Sequence, residues 1–167
     1  MRPTEPFRKE HEQLLEHIEH LAAAARELLR LSDEEHDALR QRMLGLLRRT
    51  LVPHAQAEEE VLYPEWSRLL GFPEAAAPMI HDHEAIVARI EWLERADSRD
   101  VDSLQELLYG LYALISVHFR KEEDLQVPAF DAAPPDITEA VLERMATKTA
   151  HSHEHAHYRP SEARRNP

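Results

Sequence analysis

The segment "LVPHAQAEEEVLYP", residues 51–64, ends a leucine-rich run in which Leu39, Met43, Leu47 and Leu51 are followed, at the same helical spacing, by His54, Glu58 and Leu62. At about 100° per residue these positions share one helix face. An imidazole and a carboxylate, one turn apart, therefore stand on the side that should enter a core. Burying a polar group without a partner costs on the order of 2–7 kcal/mol, and an unpaired carboxylate costs far more. The polar pair needs a partner.

Upstream, Ser32 and Glu35 form a capping box that starts this helix, and Pro53 is expected to kink it or begin a new segment. A first helix is expected from Pro6 to Leu31, with Phe7, Leu14, Ile18, Leu21, Ala25 and Leu28 as its apolar stripe and His11 within that stripe. After "GFPEAAAP", a third helix ending near Ala96 carries Met79, His83, Val87, Ile90 and Glu94 on one face. Past "ADSRDVDS", with Asp102 or Ser103 as cap, a fourth carries Leu104, Leu107, Leu111, Leu114, Ile115, His118, Glu122 and Leu125, and stops around Pro128. A fifth, short helix is expected after "PPD", with Asp136 and Glu139 as a second capping box ahead of Ile137, Val141 and Met145. Beyond it "HSHEHAHYRPSEARRNP" has too little apolar content to pack. The expectation is an all-α, up-down-up-down four-helix bundle over residues 1–130, a short helix on or near it over 131–150, and a flexible His-rich tail over 151–167.

Composition narrows the function. A chain of 167 residues with three glycines can bury a real core but lacks the turns of a many-stranded sheet. Its formal charge of −12 repels phosphate backbones and anionic lipid, so neither nucleic acid nor membrane is expected as a partner. There is no cysteine, no secretory apolar segment and no run near the roughly 20 apolar residues of a membrane span, so a cytoplasmic location is expected. Lack of thiols removes thiolate zinc sites and iron–sulfur clusters. Any metal must be held by nitrogen and oxygen.

In an alternating bundle His11 and His83, near the starts of their helices, meet His54 and His118, near the ends of theirs. Glu58 and Glu122 fall one turn further on, at the level of His11 and His83. Six buried polar groups would exceed the roughly 5–15 kcal/mol stability of a domain unless they satisfied one another. A dication accepts neutral imidazole and ionised carboxylate together. Four imidazoles and two carboxylates exceed one tetrahedral site and suit two ions bridged by the carboxylates. Ligand type leaves iron, manganese and zinc open.

His11, "HAQAEEEVLYP", "IHDHEAI" and "HFRKEED", in that helix order across about residues 5–130, resemble the hemerythrin-like domain, also called the HHE cation-binding domain. The resemblance implies a non-haem centre of two iron ions with an oxo or hydroxo bridge, able to bind O₂ or react with peroxide or nitric oxide. By position, His11, His54, His83 and His118 would be terminal ligands, with Glu58 and Glu122 bridging. Two features depart from the oxygen carriers. Where they have a second third-helix histidine, this chain has Met79, and where they have an aspartate five residues after the fourth-helix histidine it has Glu123 beside Glu122. One imidazole fewer leaves positions open and favours redox chemistry, sensing or iron handling over transport. His81 could replace the missing ligand only in a helix distorted near Pro78. Tyr63, before a proline, reads as packing and a helix stop, although a place behind the ligands is open to it. Tyr109 and Tyr112 lie off the ligand stripe. His151, His153, His155 and His157 could capture a metal weakly. A sensor without turnover is the rival reading. A ferritin-like oxidase is disfavoured, because that design uses Glu-x-x-His pairs.

Overall fold

The structure, a computed structural model, describes residues 2–152, with side chains to residue 150. The readings made for residues 153–167, including His153, His155 and His157, lie outside the described residues. Those described are helical with no strand among them, and no helix is long and apolar enough to cross a membrane.

Four long helices carry the core: α1 (Glu5–Glu27), α2 (Asp33–Ala57), α4 (Ala77–Arg95) and α5 (Val101–Lys121). They pack in a closed ring, α1 against α2 and α5, and α4 against α2 and α5. The capping box is present, with the Ser32 backbone N–H donating to Glu35 Oε2 at 2.8 Å. The expected first and second stripes are buried throughout. Asp100, rather than Asp102 or Ser103, caps α5, accepting from the Ser103 backbone N–H at 3.1 Å. On α4 the buried face uses Ile86 and Leu93 in place of Val87 and Glu94, and on α5 Leu108 is buried where Leu107 and Leu114 are only partly so.

Two apolar clusters divide the interior. One gathers Leu14, Leu51, Ile86 and Ile115 with the bulk of the long helices, and the other gathers Phe7, Leu62, Met79 and Val127 with Trp66, Phe130, Val141 and Met145. Along every long helix the polar residues fall between them: His11 between Phe7 and Leu14, His54 and Glu58 between Leu51 and Leu62, His83 between Met79 and Ile86, His118 and Glu122 between Ile115 and Val127. The chain runs from the second cluster to the first on α1 and α4 and back on α2 and α5. The polar residues thus form one layer.

The expected helix ends are corrected at two places. Pro53 lies inside α2 without ending it, and the chain passes through a π-turn at Glu58–Leu62 into α3 (Tyr63–Leu70), which stops at Gly71 with φ of 65°. Likewise α5 continues through a π-turn at Glu122–Gln126 into α6 (Val127–Ala132). In each turn a backbone N–H bonds five residues back, Tyr63 to Glu58 and Val127 to Glu122. A proline follows directly, Pro64 or Pro128, whose ring would collide with the carbonyl four residues earlier in an α-helix. Widening the turn relieves that collision and moves the buried face by one residue. Leu125, expected inside, is therefore exposed, and Gln126 is completely buried. The short helix expected after "PPD" is α7 (Pro135–Ser152), 18 residues long. It packs on α2 and the first π-turn through Val141 and Met145 and takes in the first two residues of the expected tail.

Candidate metal centre

All six residues singled out in the sequence are brought together: His11, His54, His83, His118, Glu58 and Glu122 are each at most 3% exposed. They form two groups that share Glu58. His11, His54, Glu58 and Glu122 make one, and Glu58, His83 and His118 the other, with the ligating atoms of each group within 4.8 Å of one another. The two carboxylates face both groups. Glu58 presents Oε1 to His54 Nε2 at 2.9 Å and to His11 Nε2 at 3.7 Å, and Oε2 to His83 Nε2 at 3.4 Å. Glu122 presents Oε2 to His11 Nε2 at 3.6 Å and Oε1 to His118 Nε2 at 3.5 Å.

Every imidazole turns Nε2 inward, because its Nδ1 is held from behind. Nδ1 of His11 meets Glu123 Oε1 at 2.9 Å, that of His54 meets Glu10 Oε1 at 3.1 Å, that of His83 meets Glu59 Oε1 at 2.8 Å, and that of His118 meets Asp82 Oδ2 at 3.2 Å. An ionised carboxylate only accepts, so each Nδ1 carries the hydrogen and each neutral ring leaves Nε2 bare. The contacts form a circuit around the bundle. Glu10 of α1 holds the imidazole of α2, Glu59 after α2 holds that of α4, Asp82 of α4 holds that of α5, and Glu123 after α5 holds that of α1. Arg8 pairs with Glu123 and Lys121 with Asp82, so each group of ligands has one cation behind it.

The sequence reading missed this ring of carboxylates. Their signal was adjacency: Glu10 precedes His11, Glu59 follows Glu58, Asp82 precedes His83 and Glu123 follows Glu122. A residue next to an inward ligand points along the bundle wall, where the next helix passes. Glu123 thus holds Nδ1 of His11 and lies outside both groups. His81 is exposed on α4 and takes no part in the cluster. Tyr63 is the larger correction. The π-turn carries it to the inside, 1% exposed, with Oη donating to Glu122 Oε1 at 2.8 Å and lying 3.2 Å from His83 Nε2 and 3.5 Å from His118 Nε2.

Electrostatics show what the cluster lacks. Burial pushes Glu122 well above the carboxylate range and the charge of Glu58 pushes it further, whereas Glu58, despite equal burial, is held well below that range by His54, His11 and His83. Burial lowers His54, but Glu58 and Glu10 outweigh it and raise the ring well above its usual value; His83, against the same burial, is raised to about 9 by Glu58 and Glu59. His118 is pushed down to about 4 by burial, with His83 adding to the effect. These shifts favour the protonated forms of His54, His83 and Glu122. No well-directed hydrogen bond reaches His11 Nε2, His54 Nε2, either oxygen of Glu58 or Glu122 Oε2, the 2.9 Å approach of His54 Nε2 to Glu58 Oε1 being an ion-pair contact. Buried polar atoms are almost always satisfied, so orphans converging on one layer mark a cluster able to hold metal. The donor set of imidazole nitrogen and carboxylate oxygen fits divalent first-row metals.

The two groups differ in their surroundings. Phe7 lies 4.0 Å, centroid to centroid, from His11 and 5.9 Å from His54, and Phe119 stacks on His11 at 4.7 Å. On the other side an apolar cavity bounded by Val52, Ile86, Val87 and Phe119 opens onto Glu58, His83 and His118, with room for about one water-sized guest.

No curated protein and no solved structure matches the chain. A family model does, that of the hemerythrin HHE cation-binding domain, over residues 2–130, a span that holds all six converging residues and the four carboxylates behind them. With a cluster able to hold metal inside that span, the chain belongs to the hemerythrin HHE cation-binding family.

Proposed function

We propose that this chain is a non-haem di-iron protein in which an up-down-up-down four-helix bundle of the hemerythrin type presents a carboxylate-bridged pair of ions to O₂, peroxide or nitric oxide. The observation that carries the reading is the division of each carboxylate. Glu58 offers one oxygen to His11 and His54 and the other to His83, and Glu122 divides likewise between His11 and His118. Two ions would be held by His11 with His54 and by His83 with His118, and both by the carboxylates of Glu58 and Glu122. An iron pair, when bound, supplies electrons to a small ligand. The chain's own residues do the rest. Glu10, Glu59, Asp82 and Glu123 hold the ring orientations and make each Nε2 a better donor, Phe7 and Phe119 exclude water beside His11, and the cavity against His83 and His118 admits a small apolar guest to that side. The donor set also accepts manganese or zinc. An acidic chain with a buried site takes a small molecule as its partner, in keeping with a cytoplasmic place.

Metal analysis of protein purified without added metal, with optical spectra of the reduced form before and after exposure to O₂, tests this. About two iron ions per chain and a spectrum that changes with O₂ are expected; a folded chain that stays metal-free after incubation with ferrous iron overturns it. One observation favours a sensor as the second reading. The metal-free layer leaves buried ligand atoms without hydrogen-bond partners, so occupancy by metal should stabilise the fold. Peroxide turnover by the loaded protein supports an enzyme, whereas iron-dependent resistance to proteolysis with stoichiometric ligand binding and no turnover supports the sensor.

A further inference from the structure

The His83 and His118 side of the layer has a protein donor that the ligand pattern of the sequence does not count. We propose that Tyr63 ligates the ion held there through its phenolate oxygen, making up for the single imidazole that α4 provides. The assignment rests on the two-ion reading above.

Geometry carries it. Donors about 2.0–2.2 Å from one ion, set at octahedral to tetrahedral angles, lie roughly 2.8–3.6 Å from one another. Around this position the separations are 3.0 Å between His83 Nε2 and His118 Nε2, 3.2 Å and 3.5 Å from Tyr63 Oη to those two nitrogens, and 2.8 Å from Oη to Glu122 Oε1. These are the edges of one coordination polyhedron. A hydrogen-bonding role accounts for them less well. The single Oη proton serves Glu122, and one hydrogen on His83 Nε2 can go to His118 Nε2 at 3.0 Å or to Tyr63 Oη at 3.2 Å but not to both, so hydrogen bonds leave part of the cluster unsatisfied. A cation at the centre turns all of these contacts into bonds, and the Oη proton leaves to solvent as it binds.

The placement has a local cause. Five residues beyond Glu58, Tyr63 would point well away from it in an unbroken α-helix. The π-turn at Glu58–Leu62 winds fewer degrees per residue and returns it to the ligand side. At the matching position after Glu122 the chain has Val127, which has no donor atom in its side chain. The two ions would then differ, one carrying a phenolate.

The test is spectroscopic. The iron(III)-loaded chain should show a visible phenolate-to-iron charge-transfer band whose resonance Raman ring modes shift when the tyrosines are ring-deuterated. Tyr63→Phe should abolish that band while about two irons per chain remain. The combined variant Tyr109→Phe, Tyr112→Phe, Tyr158→Phe leaves Tyr63 as the only tyrosine and should keep the band, which guards against a poorly folded Tyr63→Phe protein. Two bound irons with no such band, a band that survives Tyr63→Phe, or a band lost from the combined variant overturns the Tyr63 assignment and leaves the two-ion reading standing. A chain that binds no iron overturns both.

Discussion

Residues 54–64 and 118–128 are two versions of one device. Each sets a histidine four residues before a glutamate, follows it with a second glutamate and another acid, and ends on a proline six residues after the first glutamate. In both, the inward glutamate begins a π-turn and its neighbour reaches an imidazole on the next helix. The same local physics thus turns both carboxylates inward. The difference lies in one residue, Tyr63 against Val127, and in what surrounds the histidine pairs: aromatic rings close over His11, while a cavity adjoins His83 and His118. A near-repeat in sequence can therefore produce two positions of unequal chemistry.

The largest effect should come from a residue common to both positions. Glu58→Ala removes an oxygen from each and leaves the inward nitrogens of both pairs without their anion, so bound metal should fall from about two ions per chain to one or none. Elemental analysis reads this directly, and retention of two ions would show that the positions do not share Glu58.

Next come the carboxylates behind the imidazoles, which separate the two halves. Loss of such a partner typically weakens metal affinity about 10–100-fold. Glu10→Ala should weaken the position of His11 and His54, and Glu59→Ala that of His83 and His118. Titration with a competing chelator should therefore find one weakened ion in each variant, and the double variant should weaken both. If either single change loosened both ions equally, the halves would not be independent.

A smaller effect is expected from pH. His83 is raised in the fold from its usual 6.5 to about 9, so its contribution to metal-free stability is fully present below 6.5 and is lost as pH climbs through about 9. His54 and Glu122, also raised, act in the same direction. His118, lowered to about 4, works oppositely: its contribution is present above 6.5 and lost as pH falls towards 4. The metal-free chain should thus unfold most readily on either side of a maximum near neutrality. A metal competes with the His83 proton, so the rise in Tm on adding metal should widen between pH 6.5 and 9. A rise that stays constant over that interval would contradict proton displacement.

The smallest effect serves as the control. His17→Ala, on α1 but outside both groups, should leave two ions per chain and unchanged spectra. A loss of metal comparable to that in Glu58→Ala would mean that the inward face of α1 has been assigned wrongly.

Much of this site was legible in the residues because its rules are local. A spacing of four places His54 with Glu58 and His118 with Glu122 on one face whatever packs against it, and the apolar stripes show which face that is. The alternation of helix direction then sets the four histidines at one level. Other features were hidden because they depend on the neighbouring helix. Glu10, Glu59, Asp82 and Glu123 stand next to inward residues in the sequence, and only the packing of adjacent helices shows each one reaching across to an imidazole. Tyr63 and Gln126 were hidden for another reason. Periodicity assumes a constant turn, whereas a proline after each glutamate widens the turn and shifts the buried face by one residue. By itself the sequence determined the four long helices, the inward stripes of the first two and the six polar residues that converge, since those follow from backbone hydrogen bonding and the exclusion of apolar side chains from water. Which carboxylate holds which ring, and which side of the layer receives the phenol, were decided only in the tertiary structure, where the π-turns and the contacts between helices set directions that no single helix contains.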